Sequence, residues 1–202
     1  MRRGRDRLLT QLRPHVSDER VLQAVHDVPR DRFVPARLAS DAWDNVPLPI
    51  GSDQTISQPL IVARMCELLA LRGGERILDV GTGSGYHAAI LARLGAHVWS
   101  VERHPALSER AAQNLAAAGI DNVTLLVGDG SQGLPAEAPF DAINVAAAAS
   151  TVPLALEAQL VEGGRLVVPV QEDEQRLVLI RRTADGFERR SLERVRFVPL
   201  VS

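Results

Sequence analysis

The chain has 202 residues, 46% of them hydrophobic and 24% charged, which suits one domain with a substantial core. A net charge of −2 and an aromatic fraction of 3% exclude a general nucleic-acid-binding surface. The single cysteine, Cys66, excludes an intrachain disulfide and a cysteine metal cluster, and no apolar run approaches the ~20 residues of a membrane span.

Every basic side chain apart from histidine is arginine. The start, Met1-Arg2-Arg3-Gly4-Arg5-Asp6-Arg7, has no apolar segment after it and reads as a solvated helix start rather than a secretory signal. A cytoplasmic location is therefore expected. Residues 2 to about 45 read as a helical appendage, because Leu8, Leu9, Leu12 and then Val21, Leu22, Val25 recur at helical spacing. Ser17-Asp18 offers a cap before the second helix. Pro29 and Pro35 bracket a stiff connector, and Val46-Pro47-Leu48-Pro49-Ile50-Gly51 reads as an extended loop. After Gln54-Thr55-Ile56-Ser57-Gln58-Pro59, a helix carries Ile61, Met65, Leu68 and Leu69 on one face and ends at Gly73-Gly74. Cys66 falls within it and reads as a buried structural thiol.

From Arg76 the pattern alternates regularly. Strands are expected near 76–80, 97–102, 123–128, 140–146, 165–170 and 176–182, and helices near 84–94, 105–118 and 153–161. Gly95, Gly119 and Gly163-Gly164 stand where helices should stop, and the tail from Phe187 to Leu200 reads as a last antiparallel strand. Such alternation implies an α/β fold, a doubly wound and mainly parallel sheet with helices on both faces. One domain over 1–202 is expected, with an N-terminal helical appendage and Pro-rich loop over 1–50 and an α/β core over 51–202.

The chemistry centres on Ile77 to Tyr86, where an apolar run ends in Asp79 and the glycines Gly81, Gly83 and Gly85 alternate with Thr82 and Ser84 before a helix. A buried strand, a tight turn and a helix start form the place where open α/β sheets hold nucleotide-like ligands. A dinucleotide loop would need its third glycine at position 86, which is Tyr86. Asp79 ends the first strand, Glu102 ends the second and Asp129 follows the third, so all three belong at the carboxyl edge of the sheet. A pyrophosphate would face these acids with no cation in the loop. S-adenosyl-L-methionine, a sulfonium and an ammonium without phosphate, suits them. Glu102 is placed for the ribose hydroxyls and Asp129, between Gly128 and Gly130, for the adenine amino group. Asp79 is placed for the glycine turn or the methionine ammonium. Helix capping is the alternative for Asp79 and Glu102. Tyr86 and His87 read as core, with His87 as a general base the lesser alternative.

Beyond the loop, Val28-Pro29-Arg30-Asp31-Arg32-Phe33-Val34-Pro35, Gln54 to Pro59, Gly128-Asp129-Gly130, Ala138-Pro139-Phe140-Asp141, Gly163-Gly164-Arg165-Leu166 and Arg196-Phe197-Val198-Pro199-Leu200 follow one another in an order that resembles the protein-L-isoaspartate O-methyltransferases. The resemblance covers nearly the whole chain and implies a Rossmann-like, class I S-adenosyl-L-methionine-dependent methyltransferase. It implies transfer of a methyl group to the α-carboxylate of L-isoaspartyl residues in damaged proteins and peptides, giving S-adenosyl-L-homocysteine and an ester that collapses to a succinimide. By the same resemblance Ser57 is the active-site residue, and Gln54, Thr55, Ile56, the glycine loop (Gly81, Thr82, Gly83, Gly85), Glu102, Asp129 and Gly130 line the cofactor site. No metal is implied. Spacing alone also allows Ser57 to be a helix cap, with Pro59 in the first turn. The chain departs from the family at Ala146, where threonine is usual, at Ser150, where proline is common, and at Asp53, which would repel an anionic acceptor if it faced the pocket. A monomer acting on isoaspartyl peptides, with neither nucleic acid nor membrane as partner, is expected. The rival readings are esterification of a normal aspartate in one dedicated peptide and binding without turnover.

Overall fold

A computed structural model describes residues 2–201. The chain runs through α1 (Arg2–Leu12), α2 (Glu19–Asp27), the short strands β1 (Leu48–Gly51) and β2 (Gln54–Ile56), and α3 (Pro59–Leu69). Then come β3 (Arg76–Val80), α4 (Tyr86–Leu94), β4 (His97–Glu102), α5 (Pro105–Ala117), β5 (Val123–Val127) and β6 (Phe140–Val145). The chain finishes with α6 (Leu154–Ala158), β7 (Leu160–Gln171), β8 (Gln175–Thr183) and β9 (Gly186–Arg194). Seven strands form one sheet in the order β5-β4-β3-β6-β7-β8-β9, parallel from β5 to β7 and antiparallel for the last two pairings. The expected α/β architecture is therefore present. β3 sits between β4 and β6, so the chain winds outward one way, returns and winds the other way. The crevice of such a sheet opens at this reversal, at the carboxyl ends of the strands.

The alternation of β3 divides the core. Ile77 belongs to an apolar cluster with Leu8, Leu12, Leu22, Val25 and Ala88 to Leu91, while Leu78 belongs to a second one with Phe140, Ile143, Leu156 and Ile180. The N-terminal helices thus share one face's core with α3 and α4. Asp18 caps α2 by accepting from Arg20 N at 2.9 Å, as expected. No helix among the described residues is long and apolar enough to cross a membrane.

Leu48–Gly51, read as part of an extended loop, is instead a strand paired antiparallel with β2, and several boundaries also differ from expectation. α3 stops at Leu69 with Ala70 left-handed at its cap (φ +47), ahead of Gly73-Gly74. Gly163-Gly164 ends no helix. It lies inside β7, where a step of two residues on β6, from Phe140 to Ala142, moves the partner five residues, from Leu160 to Arg165, and a Cβ on Gly164 would lie 2.8 Å from Val161 O. The pair is an irregularity in a long strand, and α6 is correspondingly short. The final strand ends at Arg194, not Leu200. Val195 N still reaches Gln175 O, but the Gln175 side chain then holds Phe197 by both its N–H and its carbonyl, and the tail crosses to bracket Ala148. Ala148 N donates to Val198 O at 2.8 Å and Leu200 N to Ala148 O at 2.7 Å.

Candidate active site

β3 ends at Val80, and the chain turns through Gly81, Gly83 and Gly85 with φ of +92°, +55° and +87°. Residues with a Cβ adopt this region only under strain. Gly81 N donates to Val101 O on β4 at 2.9 Å, which ties the turn to the neighbouring strand. Gly85 is the residue that leads into α4, and a Cβ there would stand 3.2 Å from Ala111 Cβ on α5. Over the loop lies the β1–β2 hairpin, close enough that a Cβ on Gly83 would come to 3.3 Å from Ile50 Cδ1. Arg110 on α5 fixes the hairpin by donating to Ile50 O at 2.8 Å.

Between loop and hairpin is a cavity of about 940 Å³, open solvent at its mouth included. Gln54, Thr55, Ile56 and Ser57 line it from the hairpin side, and Gly81, Thr82, Gly83, Ser84, Tyr86 and His87 from the loop and α4. Glu102, Arg103, His104, Gly128, Gly130, Ala146 and the tail Val198 to Val201 complete the wall. Gly130 stays close because it must: a Cβ there would fall 2.5 Å from Val80 Cγ1. A second cavity of about 830 Å³, open solvent at its mouth included, lies alongside, walled by Pro47, Gln58, Ile61 and Arg194 to Val198. The two share Thr55, Ser57, Ala146 and Val198.

Of the three acids, only Glu102 lines the cavity. Its Oε2 accepts from Gly83 N at 2.8 Å and its Oε1 from His104 N at 2.9 Å, so each oxygen keeps a lone pair for a ligand hydroxyl. It faces the cavity and braces backbone at Gly83 and His104, both of which precede the first residues of α4 and α5. Asp79 does not line the cavity where a methionine ammonium would sit, and of its two expected roles only the one at the glycine turn is left. It is fully buried behind the loop, where its carboxylate accepts from Ser100 Oγ and Asn144 Nδ2, both at 2.7 Å. Burial pushes it up to about 6 although both bonds favour the charged form, and nearby Glu102 adds to the rise. Since Ser100 donates to Asp79, the Thr82 hydroxyl is the donor in its 2.6 Å contact with Ser100, which links the loop to the buried acid. Asp129 also misses the cavity. It is exposed and caps the turn Gly130–Gln132 by accepting from Ser131 N at 2.9 Å. Gly85 likewise turns and packs the chain without lining the cavity.

His87 lines the cavity but is a poor base, because burial drives it down to about 3. Asn144 Nδ2 lies 3.2 Å from its Nδ1, which leaves the ring proton on Nε2, 3.4 Å from Cys66 Sγ. Burial pushes the Cys66 thiol far up, as a structural thiol requires. The cap position of α3 is occupied by Gln58, so Ser57 is not that helix's cap. Asp53 is exposed in the hairpin turn at φ +55° and lines neither cavity, so it does not confront an acceptor there.

Sequence reasoning missed Ser100, Asn144 and the tail. The first two carried a signal: single polar residues in the apolar runs Val98-Trp99-Ser100-Val101 and Ile143-Asn144-Val145. A buried polar residue in a strand needs a partner.

The donor set fits S-adenosyl-L-methionine: a carboxylate with free lone pairs, a glycine backbone that approaches closely, and a loop without cations. Over residues 3–202 the chain matches the family model described as protein-L-isoaspartate(D-aspartate) O-methyltransferase. It is 52% identical over 202 residues to a protein-L-isoaspartate O-methyltransferase of Chromobacterium violaceum, covering 98% of this chain and 90% of that one. The protein of the same name from Anaeromyxobacter dehalogenans is 54% identical over 189 residues, with 92% and 90% covered. A solved protein-L-isoaspartate O-methyltransferase superposes with a TM-score of 0.88 at 31% identity, covering 98% of this chain, which spans 66% of that chain's length. A crystal structure of a putative protein-L-isoaspartate O-methyltransferase from Plasmodium falciparum, in complex with S-adenosyl-L-homocysteine, gives 0.83 at 28% identity with 96% of each chain covered. The chain belongs to the protein-L-isoaspartate(D-aspartate) O-methyltransferase family, whose members use S-adenosyl-L-methionine.

Proposed function

We propose that the protein methylates the free α-carboxylate of L-isoaspartyl residues in damaged proteins and peptides, with Ser57 orienting the acceptor. The observation that carries this reading is the meeting of two cavities at Ser57, Thr55, Ala146 and Val198. One has the wall of a nucleoside-type site. The other is bordered by Arg196 and by Arg194, the latter paired with Glu174, so that Arg196 is the cation placed for an anionic peptide. The partner in this reading is an isoaspartyl peptide or protein, taken by a cytoplasmic monomer without nucleic acid or membrane.

When bound, S-adenosyl-L-methionine supplies an electrophilic methyl group on a sulfonium. The chain's own task is alignment. An acceptor carboxylate, with a pKa of about 4, is already ionised at neutral pH and needs no general base. That agrees with a cavity whose one buried histidine is held neutral. The Ser57 hydroxyl donates to one carboxylate oxygen and leaves the other free to attack in line. Glu102 holds the ribose hydroxyls, while the hairpin and the tail exclude water. Gln54, Thr55 and Ile56 with Gly81, Thr82, Gly83 and Gly130 form the rest of the donor site in this reading. Asp79, Gly85 and Asp129 support it from outside the cavity.

The test is methylation of matched isoaspartyl and aspartyl peptides by the protein and by Ser57→Ala. The isoaspartyl peptide should be preferred, and Ser57→Ala should keep its affinity for S-adenosyl-L-homocysteine while losing at least ~10-fold in turnover, the loss of about 1.4 kcal/mol expected for one transition-state hydrogen bond. Preference for the normal aspartyl peptide sinks the repair reading, cofactor binding with no transfer to either peptide sinks the enzyme, and undiminished turnover removes Ser57 from the reaction.

A further inference from the structure

The connector after α2 carries a cation that lines neither cavity. Arg30 is fully buried, and among the described residues no carboxylate pairs with it. Its guanidinium is held by backbone instead. Nε donates to Ala42 O at 2.9 Å, Nη1 to Ser57 O at 2.9 Å and Nη2 to Val46 O at 3.1 Å. The group also lies over the Tyr86 ring, 4.9 Å from its centroid. Burial lowers its pKa to about 10, so it stays charged at neutral pH.

A buried cation without a counter-ion is expensive, and three carbonyl dipoles with an aromatic face are what offset it here. The arrangement joins segments far apart in the chain. Ala42 and Val46 precede the hairpin, Ser57 follows it, and Tyr86 opens α4 at the end of the glycine loop and lines the donor cavity. The Ser57 carbonyl lies just before the α3 ladder, whose first bond is Val62 N to Gln58 O. Without Arg30 that carbonyl would lose this partner. A planar guanidinium fixes three acceptors at set angles and presents its face to a ring, which a lysine ammonium cannot do.

We propose that Arg30 is a positioning residue for methyl transfer, acting as a strut that sets Ser57 at a fixed place relative to Tyr86 and the glycine loop. The proposal rests on the reading of Ser57 as the acceptor-orienting group. A displacement of about 1 Å between acceptor and methyl group is enough to lower turnover by orders of magnitude. The charge matters less than the fork.

The test is a double-mutant cycle of Arg30→Lys and Ser57→Ala, with kcat and KM measured on an isoaspartyl peptide and the S-adenosyl-L-homocysteine dissociation constant measured by calorimetry. Arg30→Lys should fold, by circular dichroism and a cooperative urea transition, and keep cofactor-product affinity within about 3-fold while losing at least ~10-fold in kcat. In the Ser57→Ala background the same change should lower kcat by less than about 3-fold, because the group it positions has gone. Arg30→Gln, which removes the charge and keeps only one donor nitrogen, is the second variant and should lose kcat at least as much as Arg30→Lys, with the same dependence on Ser57. Equal losses in both backgrounds overturn the proposal, as do an unchanged kcat, a loss confined to KM or cofactor affinity, or failure of both Arg30 variants to fold. If Ser57→Ala alone leaves turnover intact, the Ser57 reading fails and this one with it. A coupling-free Arg30 effect beside an impaired Ser57→Ala removes the strut alone.

Discussion

Asp79 and Glu102 are both acids at strand ends, yet one is fully buried behind the loop and the other faces the cavity, and register decides which. In the sheet Asp79 stands directly between Ser100 of β4 and Asn144 of β6, so both neighbours close over it. The sequence contained each of these residues but could not show that they form one row across three strands. Their burial has a pH signature. Asp79, with a folded pKa of about 6 above its unfolded value, lends stability that is fully present below about pH 4 and lost as pH rises through 6. His87, depressed to about 3, lends stability that is complete above about pH 6.5 and lost as pH falls towards 3. Between about pH 6 and 4 the two oppose each other, since the folded protein takes up a proton at Asp79 while the unfolded chain takes one up at the histidine. Asp79→Asn should therefore make stability fall more steeply on acidification from about pH 6 to 4, by roughly 1–2 kcal/mol per pH unit relative to the parent, and His87→Gln should make it fall less. Urea unfolding across that range checks both signs. Matching slopes for all three proteins would mean that neither group titrates as its burial requires.

At the scale of elements, the glycine loop and the helix behind it were legible because the constraint is local: a strand that must turn sharply into a helix needs residues free of Cβ strain. β3, β4 and α5 begin where the alternation placed them for the same reason. What local pattern cannot separate is a glycine that turns the chain from one that meets a ligand. Gly85 is of the first kind, with φ +87° and α5 packed against it, whereas Gly81 and Gly83 line the cavity. Gly163-Gly164 shows the same limit, since a glycine pair marks a helix stop and a strand irregularity alike. Gly85→Ala combines left-handed strain with a 3.2 Å contact to Ala111 Cβ and should destabilise by about 1–3 kcal/mol in urea unfolding. Gly73→Ala is the comparison. Its φ is +112° but no atom lies within 4 Å of the added Cβ, so it reports strain alone. If Gly85→Ala is no worse than Gly73→Ala, the α4–α5 contact at that point is slack.

At the scale of the molecule, the cavity at the glycine loop draws on four distant stretches: residues 54–57, the carboxyl edge from 80 to 104, residues 128–130 with Ala146, and the tail from Val198 to Val201. The carboxyl edge and residues 128–130 were legible because each carries an acid or glycine signature at a strand end, whereas residues 54–57 were legible only through the family resemblance. The tail carried no such signature. Arg196-Phe197-Val198-Pro199-Leu200 has the composition of a strand, and only the clamp from Gln175 and the bracket around Ala148 turn it across the crevice. Its apolar side chains contribute little to the two main core clusters, in which Leu200 is only a partly buried neighbour and Phe197 another. The tail should therefore be separable from the fold. Ending the chain after Phe197 should leave the circular dichroism spectrum and a cooperative unfolding transition in place while raising the dissociation constant for S-adenosyl-L-homocysteine by at least ~10-fold, because one apolar wall of the cavity and its exclusion of water are lost together. Calorimetry on the shortened chain reads this directly. An unchanged dissociation constant with diminished peptide turnover would assign the strap to the acceptor side, where Val198 also borders the second cavity, and leave the donor site to the hairpin and the glycine loop.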